Sequence, residues 1–342
     1  MPEAVDIVDL KTLCRLAEEP IVESRLVKHI GEDWHLFQGP FEEQTFSEIS
    51  DPWSLLVQAV DFHLPEVQAL WAKFQFLPTW LRDDIMISYS VNGGGVGPHF
   101  DHYDVFLIQV SGKRNWKIGQ PCGENEALRE GVELGVLEQF HLSAEYTTHP
   151  GDILYLPPRL AHWGTALSDD CITLSVGFRA PSMSEAIMGL SDYIAPELGE
   201  FTRLPIPSSP SSSLGQITSE QLHAAKASLR DALSDDAAFA AWFGQQMSTP
   251  KYPEDFETSD ITDRKRGDAV LLRADSRIAY YRTDIELLFF ANGYSLQLPL
   301  DLEAEVKSLC AMEVQQAIPS NTDSRLLNFL IEADALLSEP AD

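Results

Sequence analysis

The spacing of apolar and polar positions changes character along the chain, and the changes outline its elements. Leu10, Leu13, Cys14 and Leu16 recur at helical spacing. Asp33-Trp34-His35-Leu36-Phe37-Gln38 reads as a short strand stopped by Gly39-Pro40. Trp53 to Phe62, rich in Leu and Val, reads as a buried helix, and Leu64 to Phe74 as a second one opened by Pro65. From Asp84 the pattern turns to strands. Ile85 to Val91, Val105 to Val110, Lys113 to Ile118, Ile153 to Leu156 and Ile172 to Phe178 are short β runs. They are punctuated by Gly93-Gly94-Gly95-Val96-Gly97-Pro98, Ser111-Gly112, Pro150-Gly151-Asp152 and Pro157-Pro158. Residues 121–148 interrupt them with a polar stretch rich in glutamate.

Many short strands with Gly and Pro turns between residues 84 and 180 predict a jelly-roll barrel of the cupin type. After Pro181 the period returns to helical. Ser182 with Glu185, and Thr218 with Gln221, form capping boxes for two helices, separated by a Pro/Ser-rich linker over 201–216. Ala237, Phe239, Trp242 and Phe243 continue the apolar pattern. Pro250 to Phe256 reads as another linker. Beyond it, strands at Ala269 to Leu272, Arg277 to Tyr281 and Leu287 to Phe290 precede an Asn292-Gly293 turn. Helices are expected from Asp301 to Val314 and from Leu326 to Leu337. The chain therefore divides into 1–180, a barrel with N-terminal helices; 181–250, a helical region; and 260–342, a small α+β domain of winged-helix character. The helical region is read either as a dimerisation module or as packing for its own barrel.

Charge narrows the partners. The 342 residues include 53 acidic and 24 basic ones, a net charge of −29. Such a chain repels nucleic acid and favours a basic partner. The winged-helix-like region is no exception, with 8 Lys/Arg against 15 Asp/Glu from residue 260 onward, so no direct nucleic-acid binding is expected. Cys14, Cys122, Cys171 and Cys310 are scattered without a C-x-x-C pair, which fits a reducing compartment. No signal peptide and no membrane span are expected, and the location expected is cytoplasmic.

The candidate chemistry follows the glycine-rich loop. His99 and Asp101, two positions apart on an expected strand, point to one face. One imidazole and one carboxylate make two legs of a metal site, and His162, just past a Pro-stopped strand, is the best third. Two His and a carboxylate form the facial triad of non-haem Fe(II) oxygenases. His102 and Asp104 are decoys in the same run, and the blander reading of His99 and Asp101 is a capped turn. His29, His35 and His63 read as structural or surface residues. Arg114 shares its strand face with Trp116 and Ile118, so it points inward. A buried guanidinium needs an anion, either an internal Asp or Glu or a ligand carboxylate.

Together these motifs resemble the JmjC-type ribosomal oxygenases. The likeness rests on Met86-Ile87-Ser88-Tyr89-Ser90, the loop into His99-Phe100-Asp101, Tyr103-Asp104-Val105-Phe106, Gly151 to Pro158 with His162, and Ser175 to Pro181. It is dense from residue 22 to 195 and thin toward the C-terminus. The resemblance implies a double-stranded β-helix, a helical dimerisation region giving a homodimer, and a C-terminal winged helix. It implies Fe(II) on His99, Asp101 and His162, with 2-oxoglutarate and O2 as co-substrates. Arg114 would hold the distal carboxylate of 2-oxoglutarate, assisted by the hydroxyl of Ser88. The activity implied is hydroxylation of an arginine in a basic large-subunit ribosomal protein. The alternatives are a JmjC-type protein lysine demethylase, or a metal-dependent cupin that is no oxygenase.

Overall fold

The computed structural model describes residues 7–31, 33–207, 215–252, 269–312 and 316–339. They fall into two compact units that meet in sequence at Ala180 and Pro181.

The first unit is built on ten strands: β1 (Ser24–Ile30), β2 (Asp33–Gln38), β3 (Trp53–Val57), β4 (Arg82–Ser90), β5 (Asp104–Ser111), β6 (Arg114–Pro121), β7 (Ala144–Thr148), β8 (Ile153–Leu156), β9 (Leu160–Ala166) and β10 (Cys171–Phe178). Seven form one antiparallel sheet in the order β2-β1-β3-β4-β10-β5-β8, and three form a second, β7-β6-β9. This is the jelly roll expected from the strand pattern. Helix α1 (Leu10–Glu18), with Asp9 as N-cap, covers the first sheet together with short helical turns α2 (Gln44–Ser47) and α3 (Pro65–Gln68).

The central strands are buried on both faces, and each face has its own role. Leu55 and Val57 of β3, Ile85 and Ile87 of β4, and Leu174 and Val176 of β10 join one apolar cluster. Each such side chain contributes roughly 1.5–3 kcal/mol by leaving water. The alternate positions, Ser54 and Leu56, Met86, Ser88 and Ser90, and Thr173 and Ser175, line an internal cavity. Thus the strand period sorts residues into a core face and a cavity face.

The structure corrects several expected elements. Trp53 to Phe62 is not a helix: Trp53–Val57 is strand β3, and only Val60–Phe62 turns as a 3₁₀ helix. A run that is apolar at nearly every position carries little period, so pairing with β1 and β4 decides. Leu64 to Phe74 is helical but broken, with α3 passing into a 3₁₀ stretch at Ala69–Phe74. The polar 121–148 stretch is anchored: Val136 and Leu137 are buried, and its end is strand β7 on β6.

The second unit holds α4 (Met183–Ile194), α5 (Ser219–Ala232) and α6 (Asp236–Ser248), then β11 (Ala269–Leu272), β12 (Ile278–Arg282), β13 (Glu286–Ala291), β14 (Tyr294–Pro299), α7 (Glu303–Cys310), α8 (Ser324–Glu332) and β15 (Leu336–Glu339). Both capping boxes form. Leu287, Phe289, Val306, Leu326 and Leu330 centre its core. Helix α6 lies so close to β13 that a Cβ on Gly244 would sit 2.1 Å from the Phe290 ring. Two helix ends differ from expectation. Asp301 sits in a 3₁₀ turn and α7 stops at Cys310, while residues 313–315 lie outside the described residues. The last helix ends at Glu332, where Asp334 adopts φ +50° and the chain turns into β15 to pair with β11. The expected linkers fall partly outside the described residues, at 208–214 and 253–256.

Candidate active site

The glycine-rich loop places the first two candidate ligands without being a strand. His99 makes a single antiparallel bridge to His162, and Asp101 follows in irregular backbone. The bridge is reciprocal: His99 N–H donates to the His162 carbonyl at 3.0 Å, and His162 N–H to the His99 carbonyl at 2.8 Å. The loop can approach β9 only because Gly95 lacks a side chain, since a Cβ there would lie 2.3 Å from the Gly164 carbonyl oxygen. Gly97 adopts φ +81° against the Trp34 ring, a conformation that favours glycine. On the other side, Arg159 N–H donates to the Asp101 carbonyl at 2.7 Å.

These ties gather one ligand atom each from His99, Asp101 and His162 within 4.8 Å of one another. His162 Nε2 lies 3.5 Å from Asp101 Oδ2. Each imidazole uses its other nitrogen on the backbone: His99 Nδ1 is 3.0 Å from the Gly97 carbonyl and His162 Nδ1 is 2.9 Å from the Leu160 carbonyl. Nδ1–H donation to a carbonyl leaves the Nε2 lone pair for a metal. Burial, reinforced by neighbouring His99 and opposed by Asp101, pushes the His162 imidazole down to about 4. It is therefore neutral near pH 7, the form that ligates. Two oriented imidazoles and a carboxylate fit an octahedral divalent ion with open positions. The decoys point elsewhere: His102 is exposed, and Asp104 accepts a hydrogen bond from Tyr155 at 2.6 Å.

A cavity of about 290 Å³ opens from this triad between the two sheets. Arg114 projects into it from β6 and is 5% exposed. Its guanidinium stacks over Trp116 at 5.6 Å, and Nη2 donates to Ser90 Oγ at 2.8 Å. Nε has no partner, and among the described residues no carboxylate pairs with it. Of the two expected sources of an anion, the internal one is therefore missing among the described residues. Ser88 also lines the cavity, but its hydroxyl donates to the Thr173 carbonyl at 3.3 Å. The hydroxyl that meets Arg114 is Ser90, two residues along the same face. Sequence reasoning passed over it, although the alternation Met86, Ser88, Ser90 carried the signal. Tyr103 completes the wall beside Asp101, its phenol held protonated by burial and by the carboxylates Asp101, Asp84 and Asp83.

The chain is similar to several known proteins. A JmjC domain model matches residues 69–186, and a ROXA-like winged helix model matches residues 231–325. A probable ribosomal oxygenase of Haemophilus influenzae is 34% identical over 90% of this chain and 80% of its own length. The ribosomal protein uL16 3-hydroxylase of Escherichia coli is 33% identical over 86% of this chain and 80% of its own length. The solved structure of YcfD, a ribosomal oxygenase from Escherichia coli, in complex with cobalt and 2-oxoglutarate is also similar. It matches with a TM-score of 0.77 and 30% identity, over 98% of this chain and 92% of that one.

Proposed function

The chain belongs to the JmjC-domain ribosomal oxygenases, and on that premise we propose that it hydroxylates an arginine side chain of a large-subunit ribosomal protein, using Fe(II), 2-oxoglutarate and O2. The observation that carries this reading is the buried Arg114, without an acidic partner among the described residues, in the same cavity as His99, Asp101 and His162. A cupin that binds no anionic ligand has no use for that cation. A dicarboxylic 2-oxo acid does, because the planar fork binds a carboxylate with two parallel hydrogen bonds.

The protein's own work is positioning. His99, Asp101 and His162 would hold the metal on one side, leaving its remaining positions to the co-substrates. Arg114 would grip the far carboxylate of 2-oxoglutarate and so fix which way the oxo acid lies. With metal and oxo acid bound, that pair supplies the oxidation: one oxygen atom of O2 goes into a target C–H bond and the other into succinate, with loss of CO2. Leu56, Val105, Leu107 and Trp116 keep the cavity wall apolar and exclude water. Around the neutral Tyr103 phenol, Asp101, Asp84 and Asp83 outweigh Arg25 and give this side of the cavity a negative bias that favours a cationic side chain. The net charge of −29 extends the same preference to a basic target protein.

Two further features belong to this reading. Met183, Ile187 and Met188 of α4 and Leu222 and Leu229 of α5 are exposed, which supports a homodimer through the helical region. The acidic balance of the C-terminal domain supports a protein role rather than nucleic-acid binding. No described helix is long and apolar enough to cross a membrane. The test of function is intact-mass analysis of ribosomal proteins from cells with and without the gene. One large-subunit protein should lose the mass of one oxygen atom when the gene is absent. No mass difference in any ribosomal protein, or loss of formaldehyde-releasing activity on methyl-lysine instead, would overturn the assignment.

A further inference from the structure

Arg114 enters the cavity from the three-stranded sheet, yet its hydrogen-bond partner lies on the seven-stranded one. Its Nη2 donates to Ser90 Oγ at 2.8 Å, and Ser90 Oγ lies 2.7 Å from Ser54 Oγ. Ser54 and Ser90 face each other in register on β3 and β4. Both are buried and both line the cavity. A serine hydroxyl has one donor and two acceptor positions. Ser90 can therefore accept from Arg114 and still share a hydrogen bond with Ser54. Among the described residues the guanidinium has no other hydrogen bond, so besides the Trp116 ring beneath it this serine pair sets the direction of its fork.

We propose that Ser54 is a positioning residue for the co-substrate, acting through Ser90 to hold the Arg114 guanidinium in the plane that receives the distal carboxylate of 2-oxoglutarate. The inference rests on the role given to Arg114 above. A long side chain held in one rotamer before binding loses less freedom when the ligand arrives. Ser54 supplies that restraint from the second strand, because Ser90 alone leaves its own hydroxyl free to rotate. The influence of Ser54 should accordingly be felt at the far carboxylate of the oxo acid and not at its keto-acid end.

The experiment compares two ligands on the full chain loaded with Mn(II), a metal that does not turn over. One is 2-oxoglutarate; the other is 2-oxopentanoate, which lacks the distal carboxylate. Binding is read from the ligand-dependent rise in melting temperature. Ser54→Ala should weaken 2-oxoglutarate by about 3- to 10-fold, the worth of one neutral hydrogen bond, and leave 2-oxopentanoate unchanged. Ser54→Thr, which keeps the hydroxyl on a strand, should restore binding. In the Arg114→Met background, Ser54→Ala should change neither ligand. In turnover, KM for 2-oxoglutarate should rise with kcat unchanged. Equal losses for both ligands, the same loss with and without Arg114, or no loss would each overturn the proposal. If Arg114→Met itself bound 2-oxoglutarate like the wild type, the role of Arg114 would fall first. A weakened Arg114→Met beside an unaffected Ser54→Ala removes this inference alone. Should Ser54→Ala not fold, Ser54→Cys, similar in size and a weaker hydrogen-bonding group, takes its place with the same expected pattern.

Discussion

Replacing Arg114 by Met separates the stability of the free protein from its affinity for the co-substrate, because the two should move in opposite directions. In the free protein the guanidinium is buried, meets one neutral hydroxyl, and leaves Nε unpaired. Exchanging a poorly compensated buried charge for an apolar chain of similar length is neutral or stabilising, by about 1 kcal/mol here. That corresponds to a rise of roughly 2–4 °C in melting temperature. The loaded protein should suffer. Losing one half of a buried guanidinium–carboxylate pair costs about 3 kcal/mol, or roughly 150-fold in affinity. At a 2-oxoglutarate concentration about 100 times the wild-type dissociation constant, binding stabilises the wild type by about 2.7 kcal/mol and the variant by only about 0.3 kcal/mol. Differential scanning fluorimetry with Mn(II), with and without 2-oxoglutarate, measures both numbers. A variant that keeps the wild-type response to 2-oxoglutarate, or that melts well below the wild type without ligand, refutes the reasoning.

Other expectations follow from the same contacts. Gly97→Ala would push a Cβ to 2.9 Å from the Trp34 ring at φ +81°, and the Gly97 carbonyl holds His99 Nδ1. It should cost about 1–3 kcal/mol of stability and weaken Co(II) binding, read by denaturation and by visible absorption, with wild-type behaviour in both counting against it. Burial, reinforced by Asp84, raises the Asp61 carboxyl to about 7 despite donors from Ile85 N–H and the Trp71 indole. A raised folded value adds stability at pH below the ordinary carboxylate range that is lost as pH climbs toward 7. The stability gap between wild type and Asp61→Asn, followed by urea titration, should therefore narrow over that window; a constant or widening gap contradicts it. Ile187→Asp on exposed α4 should convert a dimer to a monomer in light scattering, and a monomeric wild type would remove the expectation.

Much of the catalytic unit was legible along the chain. Strands separated by Gly and Pro turns announced the jelly roll, because turn chemistry and a period of two are local properties. Arg114 could be placed inward from its alternation with Trp116 and Ile118 alone. His99 and Asp101 stand out by their spacing, although the backbone that brings them beside His162 is a loop braced by Arg159 and a single bridge rather than a strand. The C-terminal strands and both capping boxes were likewise readable, since a cap depends on residues three apart.

What the chain alone could not decide was anything set by pairing between distant segments. Trp53 to Val57 is apolar at nearly every position, so its period is silent, and only its neighbours β1 and β4 make it a strand. That choice puts Ser54 opposite Ser90, 36 residues away, and both beside Arg114 from another sheet. Leu336 and Leu337 look like the tail of a helix until β11 offers them a ladder. The order of residues sets which side-chain types are available and which way each local stretch alternates. Folding then selects which distant segments meet, and so brings two histidines, an aspartate, an arginine and the Ser54–Ser90 pair into one cavity. The physical reason is that hydrogen-bonded ladders and shared burial act between strands, and no local spacing encodes their partners.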